Sequence, residues 1–171
     1  MPSLNLSVGS GADDTRWDGG DFSNSEAYVN CPGIASWGSE KHLSFRFTGV
    51  SGLSGATISS ATLEVYVYGL QGTGCQLRVY ADDSAAPTAP TTAGEFTGKT
   101  LTTAYVDWDG DPVTGDFNQS PNIASIIQEL VDSYDPSAIQ LFLKNDHAND
   151  AANHFWQTLS YDYGVSAAAN L

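Results

Sequence analysis

The sequence predicts an all-β protein: a jelly-roll-like antiparallel β-sandwich with one short capping α-helix, formed as a single domain over residues 1–171. Three observations favour this fold class. Apolar and polar residues alternate with a period of two in several short segments, as in strands that bury one face. Glycine, serine and threonine recur between those segments, as they do in turns. One segment alone has apolar residues at helical spacing.

The first strand is predicted over residues 4–8, where Leu4, Leu6 and Val8 alternate with polar residues. A Gly-Ser-Gly turn follows, and then a long polar, acidic loop over residues 12–24. A loop of this length in a compact domain usually carries a function. A short strand is predicted at residues 26–29.

The clearest alternation lies in the middle of the chain. Residues 42–47, 58–68 and 76–80 each read as a half-buried antiparallel strand. The side chains predicted to face the core are Leu43, Phe45, Phe47, Leu63, Val65, Val67, Leu77 and Val79. Arg46 lies between two of them, and we expect it to point outward and pair with a cross-strand acid such as Glu64.

The second half of the chain contains the predicted helix. Residues 82–100 are rich in Pro, Ala, Thr and Gly and predict a connection along the sandwich edge, followed by a strand at 102–108. Ser120 is expected to be the N-cap and Pro121 the first residue of a helix over about residues 121–134. Its apolar face is formed by Ile123, Ile126, Ile127, Leu130 and Val131.

Strands at 139–143 and 155–161 flank a second acidic loop over residues 145–153. Ile139, Leu141 and Leu143 supply the inward side chains of the first of these strands. One more strand would begin near residue 169, so the final strand of the fold is expected to be missing after Leu171.

Charge excludes one class of partner. The chain has 20 acidic and 6 basic residues, for a net charge of −14. Binding to a phosphate backbone needs clustered Lys and Arg, so nucleic acid is not expected as a partner.

No stretch approaches the roughly 18 apolar residues of a membrane span, and residues 1–6 have no secretory-signal pattern. We therefore expect neither a membrane segment nor a signal peptide.

Cys31 and Cys75 are the only cysteines. They can form one disulfide at most, so no disulfide framework holds the fold together. The sequence does not distinguish between a Cys31–Cys75 disulfide and two buried free thiols.

Several short motifs resemble the DNRLRE domain, a β-sandwich family related to the jelly rolls of carbohydrate-binding modules. They are FRFTGV at 45–50, GATISSATL at 55–63, LRVYADD at 77–83, VDW at 106–108, SPNI at 120–123 and IQELV at 127–131. The resemblance covers most of residues 4–171. It implies an extracellular adhesion or glycan-contacting module, and similar domains occur in bacteriophage virion proteins.

Two functional hypotheses follow. The first is a non-enzymatic surface or structural protein of a bacteriophage virion, as a capsid decoration or a tail or fibre component, because a signal peptide is not evident. The alternative is a carbohydrate-binding or adhesion module excised from a larger secreted or cell-surface protein. The expected partners are virion proteins or surface glycans. The expected location is a virion surface or another extracellular site. A homo-oligomer is an alternative to a monomer.

No enzyme is expected. His42, His147 and His154 lie in no motif that pairs them with a reactive Ser or Cys. Acid pairs such as Asp13 and Asp14 are plentiful, and a glycosidase needs two carboxylates, so the residue types alone leave a glycosidase as an alternative.

Calcium is the cofactor that the acidic residues favour, since carboxylate oxygens are its usual ligands. The first candidate site has carboxylates at i, i+2 and i+4, formed by Asp107, Asp109 and Asp111, although Pro112 and Asn118 replace the Gly and Glu of an EF-hand. The second candidate site lies in the first acidic loop and consists of Asp13, Asp14, Asp18 and Asp21. The third lies in the later acidic loop and consists of Asn145, Asp146, Asn149 and Asp150. The alternative for each is a solvated acidic surface.

Glycan binding requires aromatic side chains that stack on sugar rings. Trp17 and Trp37 are predicted in loops, and Tyr66 and Tyr68 on the outward side of a strand. These four are the candidate glycan-binding residues, with ordinary core or loop packing as the alternative for each.

Overall fold

A computed structural model describes residues 3–29, 33–34, 40–146 and 154–171. Two α-helices are present in these residues, α1 (Ala93–Thr97) and α2 (Ala124–Ser133), and 3-10 turns lie at Gly11–Asp13, Tyr161–Tyr163 and Val165–Ala167. The strands are β1 (Asp14–Asp18), β2 (Asp21–Ser23), β3 (Tyr28–Val29), β4 (Gly33–Ile34), β5 (Glu40–Thr48), β6 (Glu64–Gln71), β7 (Leu77–Ala81), β8 (Val106–Asp107), β9 (Asp116–Gln119), β10 (Ala138–Asn145) and β11 (His154–Leu159).

The strands form two antiparallel layers. The first sheet has the order β8-β7-β10-β5-β1-β2, and the second has the order β9-β6-β11-β3. The short strand β4 pairs with both β5 and β11 and so joins the layers at one edge. The predicted all-β sandwich is therefore confirmed.

The core lies between the sheets, and its residues follow the predicted alternation. Each predicted inward side chain is buried, and α2 adds the apolar face expected of a capping helix. The members of this single cluster include Leu43, Phe45, Phe47, Leu63, Val65, Val67, Leu77, Val79, Ile139, Leu141, Leu143, Ile123, Ile126, Ile127, Leu130 and Val131. Burial of this apolar surface is the main force that holds the sheets together.

The strands β5 and β10 are buried on both faces, not on one as predicted. Ser44, Gln140 and Phe142 point away from the core and are still buried. The reason is the segment between β7 and β8, which contains α1 and packs over this outer face. Its Phe96 ring contacts the Phe142 ring edge-on, with centroids 5.2 Å apart.

The predicted acidic loop at residues 12–24 is a β-hairpin instead. β1 and β2 pair with each other, and β1 also pairs with β5 over five residue pairs. The prediction was wrong because the sequence shows the acids but not the cations that contact them. Arg46 forms an ion pair with Asp13, and Lys41 forms one with Asp18. Arg46 therefore has a different partner from the predicted Glu64, which lies on the other sheet.

Helix α2 begins at Ala124, three residues later than Pro121, and Ile123 is its N-cap. Ser120 has another role: its hydroxyl accepts a hydrogen bond from the backbone N–H of Leu63 at 2.9 Å. Asn122 accepts one from the N–H of Ala124 at 3.0 Å. The predicted Ser120 N-cap is therefore wrong, although the helical face itself was predicted correctly.

The first and last described segments of the chain lie side by side. Leu6 and Leu171 exchange backbone hydrogen bonds at 2.8 Å, and the N–H of Val8 donates to the carbonyl of Ala169 at 3.0 Å. Asn170 also exchanges backbone hydrogen bonds with Glu64 on β6. Residues 169–171 thus lie between the first segment and the second sheet.

Several further elements differ from the prediction. The strand predicted at 4–8 is reduced to an isolated bridge at Ser7, and the strand predicted at 58–68 begins only at Glu64. The strand expected at 102–108 is reduced to β8, and the strand β9 was not predicted. In β9, Asn118 accepts a hydrogen bond from the N–H of Val113 at 2.7 Å, which closes the turn before it. Cys75 is buried, and Cys31 lies outside the described residues.

Candidate functional site

The register of the first sheet places four side chains in one row across its outer face. Trp17 on β1 is paired with His42 on β5. Leu43 is paired with Leu143 on β10, so the neighbouring Lys144 lies beside His42. Lys144 is in turn paired with Arg78 on β7. Aromatic and basic groups that are far apart in sequence therefore become neighbours.

A half-open groove of about 190 Å³ lies over this row, and we call it the Trp17 groove. Its walls come from β1, β5, β10 and the α1 segment. The lining residues are Trp17, Glu40, His42, Phe96, Thr97, Lys99, Leu101, Phe142 and Lys144. The groove thus combines three large aromatic side chains with charged groups of both signs.

The hairpin and α1 hold the aromatic walls in place. The short helix α1 has Thr92 as its N-cap, whose hydroxyl accepts from the N–H of Glu95 at 3.2 Å. The next residue, Phe96, is buried and contacts Phe142 below it and Phe22 of β2 beside it, with ring centroids 6.2 Å apart in the second pair. The groove walls are therefore packed against the body of the protein.

Trp17 stacks on His42, with ring centroids 5.2 Å apart and an angle of 8° between the planes. His42 is held at both nitrogens, because Nδ1 accepts from the N–H of Asn145 at 3.2 Å and Nε2 lies 3.1 Å from Glu40. Burial, aided by the nearby positive charge of Lys144, lowers the pKa of His42 to about 4. The imidazole is therefore neutral near pH 7 and serves as a rigid support for the indole.

The two lysines of the groove differ in their contacts. Lys99 forms an ion pair with Asp82 at 2.7 Å and donates to the carbonyl of Thr88 at 2.8 Å. Lys144 has no ion-pair partner among residues 3–29, 33–34, 40–146 and 154–171, whereas the other five basic side chains each contact an acid there. Lys144 thus brings a positive charge to the groove.

The first predicted calcium site does not gather its carboxylates in the described part of the chain. Asp107 forms an ion pair with Arg78 at 2.7 Å. Asp111 accepts a hydrogen bond from the N–H of Gly74 at 2.5 Å, and Asp109 is exposed. Each carboxylate therefore has different surroundings.

The second predicted site is likewise divided among separate partners. Asp13 contacts Arg46, and Asp18 contacts Lys41. Asp14 accepts from the N–H of Tyr161 at 2.5 Å. Asp21 forms an ion pair with Arg16 at 2.7 Å.

The third predicted calcium site is only partly described. Asp146 forms an ion pair with Arg78 at 2.7 Å, while Asn149 and Asp150 lie outside the described residues. Across the described ranges, no group of three or more His, Cys, Asp or Glu side chains could hold a metal ion. Calcium binding stays a prediction.

The four predicted glycan-binding residues do not form one site. Trp17 lies in the groove, and Trp37 lies outside the described residues. Tyr66 and Tyr68 belong to β6 on the second sheet. Tyr66 contacts Phe117 edge-on at 5.3 Å and donates to the carbonyl of Gly115 at 2.9 Å, which fixes it to the turn before β9.

Trp17 is the one groove residue that was predicted from sequence, and the residues that were missed include Phe96, Phe142 and Lys144. Phe142 and Lys144 alternate with the core residues of β10, so their outward position was predictable. Nothing in the sequence showed that the α1 segment would fold back over them.

No protein-family model matches this chain, and no curated protein matches its sequence. In the part of the chain that the structure describes, no helix is long and apolar enough to cross a membrane.

Proposed function

We propose that the protein is a non-enzymatic surface protein that binds glycans through the Trp17 groove. The observation that carries this proposal is the half-buried Trp17 ring in a half-open groove on a sheet face, which the buried Phe96 and Phe142 rings support from below. Aromatic rings pack against the C–H faces of sugars, and nearby polar groups supply hydrogen bonds to hydroxyls.

The size of the groove favours a small unit of a longer chain. At about 190 Å³ it is smaller than the roughly 300–1,000 Å³ of pockets that enclose drug-sized ligands. One sugar ring seated against Trp17, with the rest of the chain lying across the sheet, fits this size.

The charge of the groove indicates which class of sugar it prefers. Lys144 brings a positive charge to the groove without an acidic partner in the described ranges. A carboxylate or sulfate on the bound sugar would supply that partner. We therefore expect an acidic sugar unit to be preferred over a neutral one.

The contacts of His42 support a binding role without catalysis. Because Nδ1 accepts a backbone hydrogen bond and Nε2 faces Glu40, neither nitrogen is placed to take a proton from a substrate. Its lowered pKa also leaves it a weak base.

The setting of this function is proposed from the family resemblance. A bacteriophage virion, with the protein as a capsid decoration or a tail or fibre component, is the first candidate. A carbohydrate-binding or adhesion module of a larger secreted or cell-surface protein is the alternative. Genes for capsid and tail proteins on either side of this gene would support the first setting.

Affinity electrophoresis tests the proposal with soluble polysaccharides, one neutral β-glucan and one polyuronate. The Trp17→Ala variant should bind at least about tenfold more weakly, because the stacked ring and its buried area together contribute more than about 1.4 kcal/mol. Lys144→Gln should weaken retention by the polyuronate alone.

Tyr163→Ala is the matched control, since it removes an exposed aromatic ring that lies in the turn after β11, on the side of the other sheet. Equal retention of the Trp17→Ala and Tyr163→Ala variants would contradict the assignment of the groove. If the unaltered protein is not retained by any glycan, it is a coat or structural protein only.

A further inference from the structure

Three tyrosines form an exposed ridge on the outer face of the second sheet. Tyr28 contacts Tyr68 and Tyr163 edge-on, with ring centroids 5.3 Å apart in both pairs. Tyr28 is 56% exposed and Tyr163 is 51% exposed. We call Tyr28, Tyr68 and Tyr163 the tyrosine ridge. The two sheets and the core separate it from the Trp17 groove.

Strand pairing explains why these rings meet. Tyr28 on β3 is paired with Leu159 on β11, and Tyr163 lies in the turn that follows β11. The pairing of β11 with β6 shifts between Gln157 and Thr158, which leaves Tyr68 as an extra residue in β6. Such a bulge re-aims the side chain of the extra residue.

The charges of the two sheets are segregated. The strands β3, β6, β9 and β11 contain no Lys or Arg. All six basic residues of the chain lie on the first sheet or in the segment that covers it: Arg16, Lys41, Arg46, Arg78, Lys99 and Lys144. The second sheet and the turn after it carry acids such as Glu64, Asp116 and Asp162. The side of the ridge is therefore negative.

Arg16 reaches toward the ridge through Glu26, two residues before Tyr28. It contacts Glu26 at 2.6 Å, Asp21 at 2.7 Å and Asp18 at 3.9 Å, and Lys41 also pairs with Asp18. Three acids around two bases leave this corner with a net negative charge. The hydrogen bond and charge of Arg16 lower the pKa of Glu26, so this acid stays ionised.

The protein already contains the kind of contact that this surface could make. The guanidinium of Arg78 lies over the ring of Tyr105, 4.0 Å from its centroid. A guanidinium stacks well on a tyrosine face because its charge is delocalised and weakly hydrated.

We propose that the tyrosine ridge is a docking surface for an arginine-bearing surface of a partner protein. Tyrosine and arginine are both enriched at the centres of protein interfaces. The net charge of −14 attracts a basic partner, and the segregated charges orient it toward the ridge. Docking here leaves the Trp17 groove on the opposite sheet accessible.

The test uses three peptides of equal length at near-physiological salt: one of arginine and glycine, one of lysine and glycine, and one of glutamine and glycine. NMR follows the ring protons of the tyrosines during each titration. We expect the arginine peptide to shift the signals of Tyr28 and Tyr163 and to bind more tightly than the other two.

The double variant Tyr28→Leu/Tyr163→Leu keeps apolar surface and removes the rings. It should bind the arginine peptide about tenfold more weakly, since it loses two cation–π contacts to the guanidinium groups. Tyr105→Leu, which alters an exposed tyrosine of the first sheet, should bind as the unaltered protein does. Melting curves of both variants check that they fold.

Equal binding by the double variant and Tyr105→Leu would overturn the proposal. It is also wrong if the peptide shifts only signals of the acidic loops, because binding then follows net charge alone. If the polysaccharides shift the tyrosine signals and the arginine peptide does not, the ridge is a glycan surface instead.

Discussion

Asp14 is a buried acid with an incomplete set of hydrogen bonds. Its Oδ2 accepts from the N–H of Tyr161, whereas its Oδ1 is buried with no hydrogen-bond partner in the described part of the chain. Burial is the largest of several causes that raise the pKa of Asp14 to about 7, and the charge of Asp162 adds to it. This carboxyl therefore opposes folding when it is ionised.

Replacing Asp14 with Asn should stabilise the protein at high pH. A folded-state pKa above the unfolded value means that the protonated acid stabilises the fold below about pH 4. That stability is lost as the pH rises through about 7. Urea unfolding should show Asp14→Asn roughly 1–3 kcal/mol more stable than the unaltered protein at pH 8, and about equal to it at pH 4.

Asp109→Asn is the control, because it makes the same chemical change at an exposed aspartate. A loss of stability in Asp14→Asn at every pH would contradict the argument, and would mean that the carboxylate is needed in its charged form.

Asp13, Asp14 and Asp18 also show what a sequence cannot reveal about single residues. Their spacing indicated a cation site, and their actual partners are Arg46, the backbone of Tyr161, and Lys41. Those partners are 23 to 147 positions away in sequence. Spacing identifies acids that could share a ligand, but only the folded chain determines which cations reach them first.

Among the elements, α2 shows how a correct pattern can come with a wrong boundary. The apolar spacing predicted its buried face, because that spacing depends on the helix alone. Its start was wrong because Ser120 bonds to Leu63, a residue of the opposite segment. A capping residue chooses between local and distant partners, and the sequence shows only the local ones.

The Ser120→Ala variant tests this role. It leaves the buried N–H of Leu63 without its partner, which costs about 1–3 kcal/mol of folding free energy. Urea unfolding measures the loss, and hydrogen exchange should show faster exchange at the amide of Leu63. Faster exchange in the first turn of α2, with the exchange at Leu63 unchanged, would mean that Ser120 is a helix cap after all.

For the molecule as a whole, the core was predictable and the groove was not. Alternating residues such as Leu43, Val65 and Leu141 specify which side of each strand is buried, whatever the order of the strands. The groove depends on that order, because Trp17 and Lys144 meet only through pairing with β5. Trp17 was identified from its residue type alone, whereas its neighbours in the groove can be identified only once the register of the strands is known.

Calcium binding is best tested on the whole protein. If one of the predicted sites binds Ca²⁺, excess CaCl₂ should raise the melting temperature by roughly 5–10 °C over a chelator at matched ionic strength. Matching is necessary because salt alone screens the net charge of −14 and stabilises the fold. An unchanged melting temperature would show that calcium does not stabilise the fold.

The hydrogen bonds between Leu6 and Leu171 have a practical consequence for engineering. Because the two ends of the described fold are neighbours, a short glycine-rich linker can join them, and new ends can be opened at an exposed turn such as residues 72–74. We expect such a circular permutant to fold to the same sandwich, with matching circular dichroism. A permutant that fails to fold would mean that the order of synthesis matters more than the proximity of the ends.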